Sequence, residues 1–251
     1  MSFAGQTWWL VGASEGLGLA LAQAMAREGA DLILSGRDRD RLDAAVASLG
    51  RPARALVVDV GDDASVAAAG AALGPLDGIV FLAGVYWPMK AQDWDAGKVT
   101  AMCNVNFTGL ARVLGAVVPA MVARGRGHVV ITGSLSGFRG LPGAVGYAAS
   151  KAGTMALAES LHCDLRGSGV KVQLANPGFI RTRLTGKNDF AMPFLMEPEE
   201  AAGHMLALMR SRAFKSSFPR VFSWVFRLSQ FLPDWAYYRL FAPRPSVSGT
   251  R

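Results

Sequence analysis

The stretch Val11-Gly12-Ala13-Ser14-Glu15-Gly16-Leu17-Gly18 decides the fold, because it joins a short apolar run to a longer helical one. Its three glycines allow the chain to turn tightly and bring backbone N–H groups close to a bound pyrophosphate. The N-terminus of the following helix adds partial positive charge at the same place. A glycine-rich turn at the first strand-to-helix connection therefore predicts a dinucleotide-binding α/β domain.

The same alternation of short apolar runs and longer helical segments continues along the chain. Six short runs hardly alternate with polar residues, which is typical of parallel strands buried on both faces: Thr7–Val11, Asp31–Ser35, Ala53–Val58, Gly78–Leu82, His128–Thr132 and Val170–Ala175. Six longer segments have helical periodicity: Gly16–Glu28, Asp38–Leu49, Asp63–Leu73, Lys98–Ala123, Gly146–Arg166 and Glu199–Arg210. We predict a single Rossmann-type doubly wound parallel sheet with helices on both faces over residues 1–210, followed by an aromatic, basic helical extension over residues 211–251.

The composition sets limits on the class of protein. Of the 251 residues, 51% are hydrophobic and 18% are charged, which excludes disorder as the dominant state. No run of about 18 uncharged apolar residues occurs, so no helix is expected to span a membrane. The two cysteines and three histidines are scattered, which argues against a disulfide framework or a zinc site. These features predict a cytoplasmic protein that holds no metal.

The formal net charge of +7 is concentrated at the C-terminus. Residues 1–209 are electrically balanced, whereas residues 210–251 carry eight basic residues and a single acid, Asp234. A nucleic-acid binder more often spreads its basic residues over the folded domain, so we expect no nucleic-acid partner. The same segment holds ten of the 23 aromatic residues. The concentration of basic and aromatic residues in this one segment indicates that the segment itself makes a contact, and that the rest of the domain carries no net charge.

Part of this extension has the pattern of an amphipathic helix. Between Pro219 and Pro233 the polar residues recur at helical spacing and leave one narrow polar stripe on an otherwise apolar helix: Arg220, Ser223, Arg227 and Gln230. Two interpretations stay open. The helix packs over the substrate cleft or against a dimer partner, or it makes peripheral contact with a membrane surface through residues 219–233.

The end of the second predicted strand bears on the choice of dinucleotide. In NAD binders this strand ends with a carboxylate that accepts from the ribose 2′-OH. Here it ends in Ser35-Gly36-Arg37, and a guanidinium suits the 2′-phosphate of NADP. The alternative is a solvated arginine at a helix start, with Asp38 compensating its charge. Asp59, at the end of the third strand, either accepts from the adenine amino group or caps the next helix.

Tyr147 and Lys151 form the candidate catalytic pair, because they are four residues apart in a predicted helix and share one face. A free phenol has a pKa near ~10, and a cation one turn away is expected to lower that value and to favour proton exchange. Ser134 lies just beyond the strand His128–Thr132. Ligands of open α/β sheets bind outside the carboxyl ends of the strands, where this serine is expected.

In their order and spacing these motifs resemble the classical short-chain dehydrogenase/reductase (SDR) family. The resemblance is carried by the glycine turn, Asp59-Val60, Ala83-Gly84, Asn106, Ser134, Tyr147 with Lys151, and Asn176-Pro177-Gly178 with Thr182. It implies that Tyr147 is the general acid/base and that Lys151 both tunes it and holds the nicotinamide ribose. It also implies that Ser134 polarises the substrate carbonyl and that Asn106 positions a water in a proton relay behind Lys151.

The resemblance also implies a cofactor-binding set. Its members are Gly12, Ser14, Gly16, Leu17, Gly18, Arg37, Asp59, Val60, Ala83, Gly84, Tyr147, Lys151, Pro177, Gly178, Ile180 and Thr182. Independently of the resemblance, the residues Asn104 to Gly109 interrupt a long helix with poor helix formers, which predicts a bend there.

Some positions depart from the family pattern. Val11 and Leu82 stand where a threonine and an asparagine are usual, and each change removes a hydrogen-bonding side chain. Glu15 occupies a position where NADP enzymes often carry a basic residue. The aromatic, basic extension replaces the glycine-rich C-terminus that is usual in the family.

The resemblance implies an oxidoreductase that acts on a lipophilic ketone or secondary alcohol and assembles as a homodimer or homotetramer. Arg37 favours NADP(H) as the cofactor, with NAD(H) as the alternative. By resemblance the apolar substrate pocket is formed by Val85–Met89, Leu135–Val145 and the segment after Gly178. One alternative is a 3-oxoacyl or 3-ketosphinganine type reductase of lipid metabolism. Another is a non-catalytic dinucleotide-binding sensor, although a sensor has no need of the proton-transfer residues.

Overall fold

The structure, a computed structural model, describes residues 2–241. One seven-stranded sheet runs through these residues, and its strands are β1 Thr7–Val11, β2 Asp31–Gly36, β3 Arg54–Val57, β4 Gly78–Phe81, β5 Gly127–Thr132, β6 Val170–Pro177 and β7 Lys215–Phe218. All neighbouring strands pair in parallel, in the order β3-β2-β1-β4-β5-β6-β7. The predicted doubly wound parallel sheet is therefore confirmed.

Nine helices surround this sheet in the described residues: α1 Gly16–Arg27, α2 Arg39–Ala47, α3 Asp63–Ala72, α4 Ala96–Cys103, α5 Gly109–Ala123, α6 Val145–Asp164, α7 Pro198–Arg210, α8 Arg220–Ser229 and α9 Asp234–Phe241. One apolar layer contains residues of α1, α2 and α7, and the opposite layer contains residues of α3, α5 and α6. Successive strand residues enter opposite layers: Trp8 and Leu10 belong to the first, Trp9 and Val11 to the second. This alternation is the physical reason why the strands read as unbroken apolar runs.

The predicted bend in the long helix is a π-helical turn. Residues Asn104–Thr108 form this turn between α4 and α5. The combined segment Ala96–Ala123 is long and apolar enough to cross a membrane by length and composition alone. One side of it belongs to the core, since Val113, Val117 and Met121 are buried against the sheet. This packing identifies it as a core helix.

The seventh strand is not among the six strands that the sequence predicts. Lys215–Phe218 is a short, mostly polar run, and the residues of β7 pair with Leu174 to Pro177 of β6. The predicted extension over residues 211–251 thus starts with an edge strand of the main sheet. The predicted helix between Pro219 and Pro233 is present as α8, and the chain then turns into α9.

Candidate active site

The candidate site lies where the strand order reverses. In the sheet β1 pairs with both β2 and β4, so the connections that leave β1 and β4 diverge to opposite faces and open a crevice beyond their carboxyl ends. Because all strands are parallel, the segments that follow β1, β2, β4, β5 and β6 meet at this one edge. The fold therefore brings the predicted cofactor and catalytic residues to the same side of the molecule.

The glycine turn after β1 is built for close backbone approach. Gly12 has a φ of 90°, and a Cβ atom there would lie 2.5 Å from the backbone nitrogen of Ala83. A Cβ on Gly18 would lie 2.1 Å from the carbonyl oxygen of Gly12. Glycine is thus required at both positions, first to place the turn against the end of β4 and then to pack α1 on the turn.

The N-terminus of α1 has no side-chain cap, which suits it to an anionic ligand. Glu15 precedes the helix but makes no capping hydrogen bond. Its carboxylate instead pairs with Arg41, at 3.2 Å, and with Arg183, at 2.7 Å. The N–H groups of the first turn are therefore without a side-chain acceptor and fit a pyrophosphate, as the glycine motif predicts.

Arg37 follows β2 as an exposed cation. Within residues 2–241 it makes no ion pair and no side-chain hydrogen bond, whereas Arg39 pairs with Asp43. Asp38, the residue expected to compensate Arg37, caps α2 through the backbone N–H of Arg41 and also pairs with its guanidinium at 3.2 Å. The charge of Arg37 is thus not neutralised by its neighbour.

Asp59 does not cap the next helix. Its Oδ1 accepts from the backbone N–H of Gly61 at 2.9 Å, which forms a tight local turn. The cap of α3 is Asp62, whose carboxylate accepts from the N–H of Ser65 at 2.6 Å. Of the two roles that the sequence left open for Asp59, the structure excludes the capping role.

The two asparagines of the π-helical turn form hydrogen bonds with the loops that follow β3 and β4. Asn106 is fully buried, and its amide accepts from the N–H of Val85 at 2.8 Å and donates to the carbonyl oxygen of Val85 at 3.0 Å. It also donates to the hydroxyl of Ser150 at 3.0 Å. Asn104 donates to the carbonyl oxygen of Gly61 at 3.1 Å. These bonds hold the chain beyond β3 and β4.

The hydrogen bonds of the Asn106 side chain thus go to Val85 and Ser150 and none reaches Lys151. Its backbone carbonyl oxygen accepts from the hydroxyl of Thr154 at 3.1 Å. In this arrangement the amide orients the loop after β4 and the first turns of α6. Neither Ser150 nor Thr154 was singled out from the sequence, since their helical positions carry no distinguishing pattern.

Tyr147 and Lys151 lie on one face of α6, and Ser134 follows β5 beside them. Lys151 is buried, and its Nζ donates to the carbonyl oxygen of Thr132 at 2.9 Å and lies 5.9 Å from the centre of the Tyr147 ring. Burial lowers the pKa of Lys151 to about 8. The structure thus brings together the hydroxyl, phenol and ammonium groups that the sequence proposed for proton transfer.

The phenol differs from expectation in one respect. Burial raises the pKa of Tyr147 to about 12, with Ser134 acting in the lowering direction and Tyr86 in the raising direction. The sequence reasoning expected Lys151 to bring this pKa below its ordinary value. In the protein alone, loss of hydration outweighs the attraction of a cation that is hydrogen-bonded elsewhere. The phenol is therefore protonated at neutral pH.

Tyr86 is the neighbour of Tyr147 that the sequence reasoning placed only among the pocket residues. The two rings meet edge to face with their centres 4.9 Å apart. The Tyr86 hydroxyl donates to Oδ1 of Asn188 at 2.9 Å, and Lys187 donates to the Tyr86 carbonyl oxygen at 2.8 Å. No local pattern could have shown these contacts, because the partners are far apart along the chain, Asn188 by 102 residues.

The segment after β6 crosses back to the glycine turn. The Gly178 N–H donates to the carbonyl oxygen of Phe218 in β7 at 2.7 Å, and Ile180 is buried and bridges to Met196. The Thr182 methyl group lies beside Gly16, where a Cβ atom would come within 2.9 Å. The predicted cofactor residues after β6 therefore lie against those after β1.

Comparisons with known proteins agree with this architecture. The family model described as short chain dehydrogenase matches residues 6–191. A protein of Myxococcus xanthus (strain DK1622), described as an uncharacterized oxidoreductase, is 39% identical over an alignment of 237 residues that covers 91% of this chain and 93% of the relative.

Solved structures show the same likeness. A short-chain dehydrogenase from Sphingobium yanoikuyae in complex with NADPH is 29% identical, with a TM-score of 0.81 and 98% of both chains covered. A short chain dehydrogenase from Burkholderia cenocepacia J2315 in complex with NADP has a TM-score of 0.86 over 97% of this chain and 100% of that chain, but at 21% identity it shows the fold alone. Together with the family match, the close relative establishes that the chain belongs to the short-chain dehydrogenase family of oxidoreductases.

Proposed function

We propose that this oxidoreductase interconverts a lipophilic ketone and a secondary alcohol with NADP(H) as its preferred cofactor. The observation that carries the proposal is the convergence of Ser134, Tyr147 and the buried ammonium of Lys151 beyond the carboxyl ends of β4 and β5. A binding module would have no use for a buried lysine beside a phenol at such a place, because burying the ammonium costs free energy without a compensating ion pair.

The residues around the crevice fit a nicotinamide dinucleotide. The uncapped first turn of α1 and the close glycine turn suit the pyrophosphate, and Arg37 suits a 2′-phosphate. The Sphingobium yanoikuyae relative, solved with NADPH, supports the same choice. When bound, the nicotinamide supplies or accepts a hydride at its ring. In this proposal Lys151 would contact the adjoining ribose, and Thr182 would contact the carboxamide.

In the direction of reduction, Tyr147 donates its phenolic proton to the carbonyl oxygen of the substrate. A pKa of about 12 keeps this proton in place at neutral pH. Ser134 donates a hydrogen bond to the same oxygen and so stabilises the negative charge that develops on it. Charged Lys151, held by the Thr132 carbonyl, favours the phenolate that remains after the transfer. Asn106 is a positioning residue, since it acts through the loop that contains Val85.

The lipophilic substrate class is supported by aromatic residues beyond the crevice. Phe179 packs edge to face with Phe190 at 6.0 Å and lies 5.9 Å from Phe222 of α8, while Phe194 stacks on Phe222 at 5.5 Å. Phe179, Phe190 and Phe194 belong to the segment after Gly178, which in this proposal adjoins the nicotinamide. An apolar wall at this place favours apolar substrate groups, because burying them costs no hydration free energy.

The central test is Tyr147→Phe, with Tyr238→Phe as a matched control on the exposed side of α9. Tyr147→Phe should lower kcat for NADPH-dependent ketone reduction by about 10²–10⁴-fold, because it removes the proton donor. The dissociation constant for NADPH should change little, and the control should leave both quantities unchanged. The substrate panel should include ketones of increasing chain length and 3-oxoacyl thioesters. Near-normal turnover by Tyr147→Phe would disprove the assignment.

The cofactor preference is tested separately with Arg37→Ala and with Arg39→Ala as its neighbour control. Losing one charge-assisted contact to a phosphate should weaken NADPH binding by about 10–150-fold and NADH binding far less. Arg39 pairs with Asp43, so its removal should affect the two cofactors alike. Equal dissociation constants for NADPH and NADH in the unmutated protein would contradict the preference.

The inner side of α8 supports one of the two interpretations of residues 219–233, namely packing near the cleft. Phe222 contacts Phe179 and Phe194, and a Cβ atom on Gly178 would lie 3.4 Å from the Phe222 ring. We propose that the protein is cytoplasmic and forms a homodimer or homotetramer. Sedimentation velocity tests the oligomeric state. The outer side of α8 faces away from this packing and requires its own explanation.

A further inference from the structure

The outer surface of α8 and α9 is apolar and exposed. With respect to residues 2–241, Phe231 is 85% exposed and Trp235 is 75% exposed. The remaining members of this surface, which we name the tail face, are Val221, Trp224, Val225 and Leu228. On α8 its residues follow one another at i, i+3/i+4 and i+7, so they form a continuous stripe. Contiguous exposed apolar surface of this kind marks a contact with a partner.

The helix presents this stripe outward while burying polar side chains. Ser223 is only 1% exposed and Ser229 is buried as well. Their hydroxyls donate to carbonyl oxygens of the same helix, those of Arg220 and Phe226, at 2.7 and 2.8 Å. These serines therefore need no other partner in the interior. An ordinary surface helix has one apolar side and buries it. α8 packs Phe222 against Phe179 and Phe194 and still leaves a second apolar stripe exposed, so this stripe needs an explanation outside the described part of the chain.

The orientation of α8 is fixed by Arg139 from the loop between β5 and α6. Its guanidinium donates to the carbonyl oxygens of Ser229 and Leu232, each at 2.8 Å, and pairs with Asp234. The same guanidinium lies 3.9 Å from the centre of the Tyr237 ring. These contacts satisfy the C-terminal end of α8 and set the start of α9. A rotation that buried the tail face would break all of them.

The charges around the tail face have one sign. Arg220, Arg227 and Arg239 are exposed and make no ion pair within residues 2–241, and the Arg227 guanidinium lies 4.4 Å from the centre of the Trp224 ring. Asp234 is the one acidic residue between residues 210 and 251, and it forms an ion pair with Arg139. The surface thus combines exposed tryptophan and aliphatic side chains with uncompensated arginines.

We propose that the tail face binds the surface of an anionic lipid bilayer. Ten residues of α8 extend only about 15 Å, half the thickness of a hydrocarbon core, so the helix would lie in the headgroup region. Arginines beside an apolar stripe complement negative headgroups. A two-fold contact with a second copy would instead repeat the same three arginines on both sides of the interface.

The test uses the full chain and sedimentation with vesicles of pure phosphatidylcholine or of phosphatidylcholine with phosphatidylglycerol. The protein should bind the anionic vesicles, and binding should weaken as salt rises. Leu228→Ser with Phe231→Ser should weaken it by roughly 100-fold, because each side chain contributes about tenfold on leaving water. Arg220→Gln with Arg239→Gln should weaken it by about 25-fold, from about fivefold for each charge.

Two control variants test whether the effect belongs to this surface. Trp94→Ser removes an exposed aromatic residue elsewhere, and Arg126→Gln removes an exposed charge at the amino end of β5. Both should bind anionic vesicles like the unmutated protein. Because every replaced side chain is exposed, all variants should keep the unmutated urea midpoint and NADPH affinity, which separates this proposal from the proposed activity.

Three outcomes would overturn the proposal. The first is no binding to anionic vesicles at low salt. The second is equal, salt-independent binding to neutral and anionic vesicles, since the arginines would then have no part in it. The third is a lipid-free oligomer that dissociates in the Leu228→Ser, Phe231→Ser variant without any vesicle binding, which would assign the tail face to a second copy of the chain.

Discussion

The proposed catalysis requires Lys151, but its buried ammonium is expected to lower the stability of the folded protein. Its ammonium is buried, and burial lowers its pKa from 10.5 to about 8. The unfolded chain therefore holds this proton more tightly than the folded protein does. Lys151→Met keeps the length of the side chain but removes the charge, so it should abolish this dependence on pH while destroying the proposed catalytic pair.

The sign and size follow from proton linkage. Between pH 8 and 10.5 the unfolded state binds more protons than the folded state, so the stability of the unmutated protein rises with pH in this window. One pKa unit corresponds to about 1.4 kcal/mol, and between pH 7 and pH 10 the unmutated protein should gain about 2.5 kcal/mol relative to Lys151→Met. The variant also leaves the Thr132 carbonyl without its donor, at a cost that does not depend on pH.

The assay is urea denaturation of both proteins without cofactor from pH 7 to pH 10. Above pH 10 the raised pKa of Tyr147 adds an opposite slope, so the comparison ends there. Lys90→Met, at an exposed position, corrects for the general effect of losing one positive charge. A difference between Lys151→Met and the unmutated protein that stayed constant over this range, within about 0.5 kcal/mol, would refute the reasoning.

Three further predictions concern buried polar groups. Burial lowers the pKa of His128 to about 4, so stability should fall by about 3 kcal/mol from pH 7 to pH 4, and His128→Asn should lose this part of the acid slope in urea titrations. Asn106→Ala should cost about 3 kcal/mol or more in unfolding free energy, because it leaves both backbone groups of Val85 unpaired. Arg139→Ala should cost about 2–3 kcal/mol and open the α8–α9 turn to limited proteolysis, whereas exposed Arg126→Ala should do neither.

The parts of the fold that the sequence predicted are those determined by local patterns. The glycine turn needs left-handed backbone at Gly12 and close packing at Gly18, and both requirements are met within a few residues of the strand. Six strands were recognisable because burial on both faces demands continuous apolar runs. The interruption at Asn104–Thr108 was recognisable from its poor helix formers, although only the structure shows that a π-helical turn resulted.

Properties that depend on distant partners could not be obtained in this way. β7 contains a lysine and two serines, and it becomes a strand only because β6 offers a free edge beside it. The pattern of α8 is one narrow polar stripe on an otherwise apolar helix, and it carries no information on which apolar side faces the protein. That choice is made by Arg139, which is 95 residues from Asp234. The same holds for Tyr147, whose proton affinity is set by burial and by Ser134 and Tyr86 rather than by its spacing to Lys151. Spacing thus identifies which side chains meet, whereas their surroundings decide what each can do.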